Sequence, residues 1–341
     1  MTGERKIRVL VVDDSPFMRQ LISNAISNSD DIVVVGTARN GEEAVQKCRD
    51  LRPDVLTLDI EMPVLNGLVA LEIIMREMPT PVIMVSSLTR VGATETFRAL
   101  EMGAVDFITK PDRAAATAEL GTLLLPRLRA AAGVNRQKVV PRTVPSALAP
   151  KHYDLVVIGC STGGPAALQQ IIPTLPEGMR VPLVIAQHIP AGFTGPMAQR
   201  LGQLSRVPVV EAFDGMPLLS GTVYIAPGGC HTAVRKDKTR RFLQVLPFDY
   251  VTTPFRPSVN VLFQSAEPFA PHLLAVVLTG MGQDGAEGAK ILHRSGAHVV
   301  AESEESAIIY GMPRAIVEAK LADGVMNLRQ VGEFLKIATM K

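Results

Sequence analysis

The apolar positions of the chain fall into short runs separated by stretches of helical spacing. The run over 7–12 is rich in β-branched residues and too short for a helix of ordinary length, so it reads as a buried strand. After Asp13-Asp14-Ser15-Pro16, residues Met18, Leu21, Ile22 and Ile26 recur three or four apart, which predicts a helix. The alternation continues with strands over 32–36, 55–58, 82–86 and 104–108, and helices over 42–51, 69–75 and 95–102. Pro126 is expected to interrupt or end a fifth helix. A second series follows, with strands over 154–158, 181–187, 207–211, 222–226, 273–278 and 298–301. Helices are expected over 165–172, over 259–265 with Pro257 near its start, and from just beyond Asp284 to His293. Three more are expected over 303–309, 314–318 and 332–340, and 231–235 with 241–246 reads as a hairpin. Strands alternating with helices imply parallel sheets covered on both faces, which place their sites at the carboxyl ends of the strands.

At 341 residues the chain exceeds the usual size of one core. Two domains are expected, over 1–127 and 152–341, with 128–151 as a linker containing Pro141, Pro145 and Pro150. Such a linker would let the first domain fold back over the second or swing away. The net charge of +2 argues against an extended nucleic-acid surface. Cys48, Cys160 and Cys230 are too widely spaced for a metal motif and odd in number, so each reads as a small apolar residue. With no apolar run of membrane-spanning length and no secretory signal, the expected setting is the cytoplasm.

In the first domain Asp13, Asp14 and Asp59 stand at strand ends, as do Ser86 and Lys110. Clustered carboxylate oxygens suit Mg²⁺. One carboxylate can attack a phosphoryl group while the others hold the ion, with Lys110 and Ser86 to meet the phosphoryl oxygens. The blocks Val11-Val12-Asp13-Asp14-Ser15, Leu58-Asp59-Ile60-Glu61-Met62-Pro63, Asn66-Gly67, Ser86-Ser87 and Lys110-Pro111 resemble the response-regulator receiver domain. The resemblance implies that Asp59 is the phosphoacceptor and that Asp13 and Asp14, with Asp59, hold Mg²⁺. It further implies that Ser86 and Lys110 contact the phosphoryl group, that Phe107 fills the switch position, and that Lys110-Pro111 is a cis peptide.

In the second domain Gly159-Cys160-Ser161-Thr162-Gly163-Gly164 lies between a strand and a helix, a place where a serine projects from a sheet edge beside helix N–H groups. His188 and Asp284 also follow apolar strands, so a hydroxyl, an imidazole and a carboxylate share one edge. His188 is the best placed base of the six histidines, because His152, His231, His272 and His293 do not follow a strand in this way. Each residue has an ordinary alternative: a helix cap or phosphate-binding loop for the glycine turn, a core position for His188, a helix cap for Asp284. The turn lacks the lysine of a phosphate-loop motif.

The same turn, with Gln187-His188-Ile189-Pro190, Ala226-Pro227-Gly228, Arg256-Pro257-Ser258-Val259, Thr279-Gly280-Met281-Gly282-Gln283-Asp284-Gly285 and Gly311-Met312-Pro313, is similar to the catalytic domain of chemotaxis protein-glutamate methylesterases. The implied fold class is α/β: two doubly wound, mainly parallel-sheet domains, a flavodoxin-like receiver and a modified Rossmann-like serine hydrolase with an antiparallel hairpin. The resemblance implies a triad of Ser161, His188 and Asp284, oxyanion donors near Thr162 and Met281, and hydrolysis of glutamate methyl esters on chemoreceptor helices. It also implies glutamine deamidation, no cofactor for the esterase step, a chemotaxis histidine kinase as partner, and a place beside membrane receptor arrays. A monomer is the expected state. Asn260 departs from the acidic residue frequent after this Ser-Val pair and is expected near the substrate approach. Two other readings stay open: a nonenzymatic response regulator whose second domain binds a partner, and a related serine hydrolase with another protein substrate.

Overall fold

The computed structural model describes residues 5–87, 89–111, 117–133, 148 and 151–340. The chain divides into two compact units, Met1–Asn135 and Arg136–Lys341.

In the first unit β1 (Ile7–Val12), β2 (Ile32–Ala38), β3 (Val55–Asp59), β4 (Val82–Ser86) and β5 (Asp106–Thr109) form a parallel sheet in the order β2-β1-β3-β4-β5. Both β3 and β4 are buried at every position, as in a sheet covered on both faces, with Thr57 inside β3 and Asp59 and Ser86 at the strand ends as their polar residues. The connecting helices are α1 (Pro16–Ser27), α2 (Gly41–Leu51), α3 (Gly67–Glu77), α4 (Arg90–Glu101) and α5 (Thr117–Ala132). Four start where a short polar side chain accepts a first-turn N–H: Ser15 from Met18, Asn40 from Glu43, Asn66 from Val69 and Thr89 from Gly92. These caps fix where the chain turns off each strand end, and so where the residues between strand and helix lie.

Pro126 neither ends nor breaks α5, which runs six residues beyond it to Ala132. Leu120, Leu124, Leu128 and Ala131 lie along one helix face and are all buried, so core packing outweighs the hydrogen bond that a proline forfeits. Arg127 and Arg129 add ion pairs to Asp106 and Asp31. The helix therefore extends past residue 127, and most of the expected linker, 134–147 with 149 and 150, lies outside the described residues.

In the second unit β6 (Leu155–Cys160), β7 (Leu183–Gln187), β8 (Val209–Glu211), β9 (Val223–Ile225), β12 (Leu273–Val277), β13 (His298–Glu302) and β14 (Gly324–Met326) form a parallel sheet in the order β14-β13-β12-β6-β7-β9-β8. The strands β10 (His231–Lys236) and β11 (Arg241–Leu246) pair antiparallel as a separate two-stranded sheet. Helices α6 (Gly164–Ile171), α7 (Thr194–Leu204), α8 (Val259–Ser265), α9 (Ala286–Arg294), α10 (Met312–Glu318) and α11 (Leu328–Ala338) complete the unit. Its core joins sheet residues such as Leu155, Val157, Ala275 and Val299 to Phe263, Phe269 and Ile316 from the covering elements. Burying each large side chain of this kind contributes about 1.5–3 kcal/mol.

Chain order reverses at β6. One connection leads to β7 on one side, while β12 pairs on the other. The carboxyl ends of β12, β6 and β7 thus stand side by side at the switch point of the sheet. The stretch 303–309, expected as a helix, consists of turns and bends. Its backbone is tied elsewhere: Ile309 N donates to Thr279 Oγ1, and Gly280 N donates to Ile309 O. The α8 helix starts at Ser258, whose hydroxyl accepts from Val261 N, so Pro257 precedes the cap instead of opening the helix.

Candidate active site

Adjacent strand ends carry the reactive groups of the second unit. Cys160 is in register with Gln187, so Ser161 and His188 are the next residues on neighbouring parallel strands, which lie about 4.8 Å apart. His188 N donates to Cys160 O, and Ser161 N donates to Thr279 O, which fastens all three strand ends together. Gly163 adopts φ +79°, and a Cβ there would stand 2.8 Å from Ile308 Cβ. Only glycine turns the chain here without strain.

His188 Nε2 lies 2.8 Å from Asp284 Oδ2. Asp284 is 5% exposed and accepts four more hydrogen bonds: from Ser258 Oγ at 3.0 Å and from the amides of Val259, Asn260 and Gly285. Burial alone would raise its carboxyl. The His188 hydrogen bond and charge, followed by the Val259 and Asn260 amides, outweigh burial and hold it below the usual range. An ionised Asp284 is an acceptor only, so the His188 Nε2 must carry the proton it donates. That leaves Nδ1 with its lone pair free in the neutral ring. This Nδ1 is buried without a hydrogen-bond partner, and the ring is stacked on Phe255 with centroids 4.3 Å apart and planes 7° from parallel. Among the described residues no hydrogen bond joins Ser161 Oγ to this nitrogen. Resting geometry of this kind often tightens only when substrate arrives.

The amides of Thr162 and Met281 make no backbone hydrogen bond among the described residues, whereas Ser161 N is committed to Thr279. Both expected positions thus carry an N–H without a backbone acceptor, as Gly163 and Gly282 do too, whereas the serine's own amide is already engaged. Asn260 lies against the candidate site, its amide donating to Asp284 Oδ1 at 3.1 Å. Its side chain accepts from Gly288 N at the start of α9 and is occupied in the scaffold. Phe255, Ser258 and Glu302 were not singled out from the sequence. Ser258 links two neighbours, donating its hydroxyl to Asp284 while its amide donates to His231 Nδ1. Cys160 is fully buried, and burial followed by the charge of Glu302 raises its thiol far above the ordinary range, so it stays a neutral apolar residue.

In the first unit Asp13, Asp14 and Asp59 each bring a carboxylate oxygen within 4.8 Å of the others. Lys110 Nζ lies 2.8 Å from Asp59 Oδ2 and 3.0 Å from Asp13 Oδ2. The second contact is an ion pair without hydrogen-bond alignment, which leaves Asp13 Oδ2 buried and short of a donor. Burial, offset by the Lys110 hydrogen bond and worsened by Asp13, pushes Asp59 up to about 6. Burial likewise raises Asp13, against Lys110. Oxygen ligands with unmet negative charge fit a hard divalent cation. Ser86 is buried beside this edge with its hydroxyl 3.2 Å from Gly92 O. Phe107 on β5 is buried edge-on to Phe97, with centroids 6.4 Å apart. Among the described residues the cis peptide bonds are Arg256–Pro257 and Ala270–Pro271; Lys110–Pro111, expected cis, is not among them. Lys110 is placed by its own amide, which donates to Ser86 O, and by its two carboxylates.

A receiver-type sheet with an acidic edge, joined to a doubly wound α/β unit with a serine, histidine and aspartate edge, defines a response regulator with an α/β output domain. Residues 9–120 match the response regulator receiver domain, and residues 156–335 match the CheB methylesterase model. The chain belongs to the CheB methylesterase family. It is 42% identical to a protein-glutamate methylesterase/protein-glutamine glutaminase of Halalkalibacterium halodurans, over 97% of each chain. A Thermotoga maritima relative of the same description is 43% identical over 97% of this chain and 98% of its own. The crystal structure of the Thermotoga maritima CheB methylesterase catalytic domain superposes with a TM-score of 0.53 at 38% identity, covering 55% of this chain and 99% of that one. No described helix is long and apolar enough to cross a membrane.

Proposed function

We propose that this protein hydrolyses glutamate methyl esters on the cytoplasmic helices of chemoreceptors, releasing methanol, under control of Asp59 phosphorylation. The observation that carries the reading is the His188–Asp284 pair, set beside Ser161 with its free ring nitrogen buried and unpaired. Ser161 Oγ attacks the ester carbon and its proton passes to His188 Nδ1. Asp284, still ionised, stabilises the imidazolium through Nε2–H. The Thr162 and Met281 amides receive the oxyanion. His188 protonates the departing methanol, then takes a proton from the water that cleaves the acyl-enzyme. With a glutamine side chain the same steps release ammonia, which is the deamidase activity we assign alongside.

Asp59 is the phosphoacceptor, largely ionised at neutral pH given its value of about 6. Asp13, Asp14 and Asp59 hold Mg²⁺. When bound, the ion offsets the negative charge of the phosphoryl oxygens. Lys110 compensates the same charge from β5, Ser86 donates to a phosphoryl oxygen, and Phe107 follows the rearrangement. A chemotaxis histidine kinase is the phosphodonor. The protein works in the cytoplasm beside receptor arrays, as a monomer and without contact to nucleic acid.

The test is methanol release from methylated chemoreceptor fragments by wild type, S161A and D59N, with and without an acyl phosphate. Serine-dependent release that rises with the phosphodonor in wild type, and not in D59N, supports both parts. Folded, phosphorylated wild type that releases none from any fragment refutes the esterase reading. Release that persists in S161A refutes the assigned nucleophile.

A further inference from the structure

Glu302, the last residue of β13, is fully buried yet belongs to no reactive constellation described above. Its two oxygens have separate duties. Oε2 accepts from Thr279 N at 2.7 Å, and Oε1 accepts from Ser306 Oγ at 2.8 Å. Thr279 is the hub of the nucleophile edge. Its carbonyl accepts from Ser161 N, its hydroxyl donates to Thr162 O, and Ile309 N donates to that hydroxyl. The next two residues are Gly280, where a Cβ would stand 2.8 Å from Ser161 Cβ, and Met281, with its unpaired amide. Ser306 is the hub of the other side, its oxygen also accepting from Leu328 N at the start of α11. One carboxylate therefore ties the loop beside the serine to the 303–310 segment.

We propose that Glu302 is a positioning residue for the hydrolase reaction: its carboxylate form holds the Thr279–Gly282 loop in register with Ser161, and its protonation loosens that loop. The inference rests on the esterase reading above. Donor chemistry favours the charged form, because Thr279 N–H and Ser306 O–H are both donors aimed at one acceptor-only group. A protonated Glu302 must donate from one oxygen, which leaves the Ser306 hydroxyl hydrogen without this acceptor. Burial opposes the charge and, against the Ser306 and Thr279 hydrogen bonds, pushes Glu302 up to about 7. The titratable group facing it from β6 is Cys160, a neutral thiol. Ser306 and the Thr279 amide face it from their own segments, and the backbone of Met326 on β14 pairs alongside without charge. Protonation therefore falls inside the neutral range without involving His188 or Asp284.

The experiment compares full-length wild type, E302Q and E302A in methanol release between about pH 6 and pH 8. E302Q keeps an acceptor for Thr279 N and imitates the uncharged form. Its kcat matches wild type at the acid end and falls about threefold behind at the alkaline end, with KM unchanged. E302A leaves both donors unpaired and loses roughly tenfold to a hundredfold in kcat. Superimposable pH profiles for wild type and E302Q, or an E302A with wild-type kcat, overturn the proposal. Circular dichroism melting supplies an arm independent of substrate. A raised carboxyl costs stability as pH climbs from its unfolded value of 4.5 to its folded value of about 7, so wild type melts progressively below E302Q across that interval and by a constant margin above it. Parallel melting curves overturn the proposal too. Absent methanol release in wild type, with that melting signature present, refutes the esterase reading and leaves the ionisation of Glu302 standing.

Discussion

Replacing Asp284 by asparagine tests the assigned division of labour most severely. All five groups around this carboxylate are donors: Ser258 Oγ and the Asn260 and Gly285 amides at Oδ1, His188 Nε2 and the Val259 amide at Oδ2. An amide can present oxygen to only one of these sides. Three donors against two decide for oxygen at Oδ1, which places an NH₂ against His188 and Val259. His188 then turns to the tautomer that accepts at Nε2 and carries its proton on Nδ1, while Val259 N–H loses its partner. A buried unpaired donor costs about 1–3 kcal/mol, and loss of the charge-assisted bonds brings the total to about 3–5 kcal/mol. The kinetic penalty is larger, because Nδ1–H cannot take the serine proton. We expect kcat for methanol release to fall by about 10³–10⁴-fold with KM little changed. A folded D284N within about tenfold of wild type refutes the tautomer argument. Stability supplies an internal control. The carboxyl sits below its unfolded value of 3.8. The stabilisation it contributes is thus complete above that value and disappears as pH falls through the folded one. The thermal penalty of D284N must shrink on acidification in the same interval.

Three further outcomes follow from single contacts. F255A removes the ring stacked on His188 at 4.3 Å; losing a contact worth about 0.5–1.5 kcal/mol lets the imidazole tilt, and kcat drops a few-fold while phosphorylation of Asp59 is untouched. K110A withdraws the ammonium that lowers both Asp59 and Asp13, so uptake of phosphate from an acyl phosphate, followed by mass spectrometry, falls at neutral pH and recovers as pH rises. P126A restores an amide inside α5 without touching its buried leucines, and the receiver unit melts at a higher temperature, with a gain of about 1–3 kcal/mol; a lower melting temperature contradicts the helix assignment.

Most of the architecture could be read from the sequence because fully covered parallel strands are near-continuous apolar runs, and the residue that breaks each run is the one that projects at the sheet edge. Asp59, Ser161 and His188 are legible for that reason. Elements with weak local signals escaped. The α7 helix contains Gly195, Pro196 and Gly202, and β14 has only three residues. The 303–309 stretch has helical spacing, yet its ends are tied elsewhere, Ser303 N to Met326 and the Ile309 amide and carbonyl to Thr279 and Gly280, a tertiary demand that no local pattern reports. The second ring of the site was hidden in the same way. Phe255 and Ser258 sit in an irregular stretch, and their partners are 67 and 26 positions away in sequence by the numbering of His188 and Asp284.

The two units solve the burial of carboxylates differently, and the difference explains which of them responds to what. Asp284 is surrounded by five donors and no second anion, so the carboxylate itself stays ionised across neutral pH. Asp59 has the Ile60 amide and Lys110 but shares its edge with Asp13 and Asp14, three carboxylates against one ammonium, and is pushed up to about 6. Glu302 has two donors and no cation, and reaches about 7. Depth does not order the three, for all are buried within a few per cent of one another. The supply of donors and neighbouring charge does. An edge with a deficit of positive charge is sensitive to a divalent cation and to an added phosphoryl group, which is what a receiver needs. An edge with a surplus of donors holds one tautomer of one histidine, which is what a proton transfer needs. Removing the ammonium from the second site, as K110A does, should therefore shift the titration of Asp59 upward, whereas D284N takes the carboxylate out of the first site altogether and acts through the tautomer of His188.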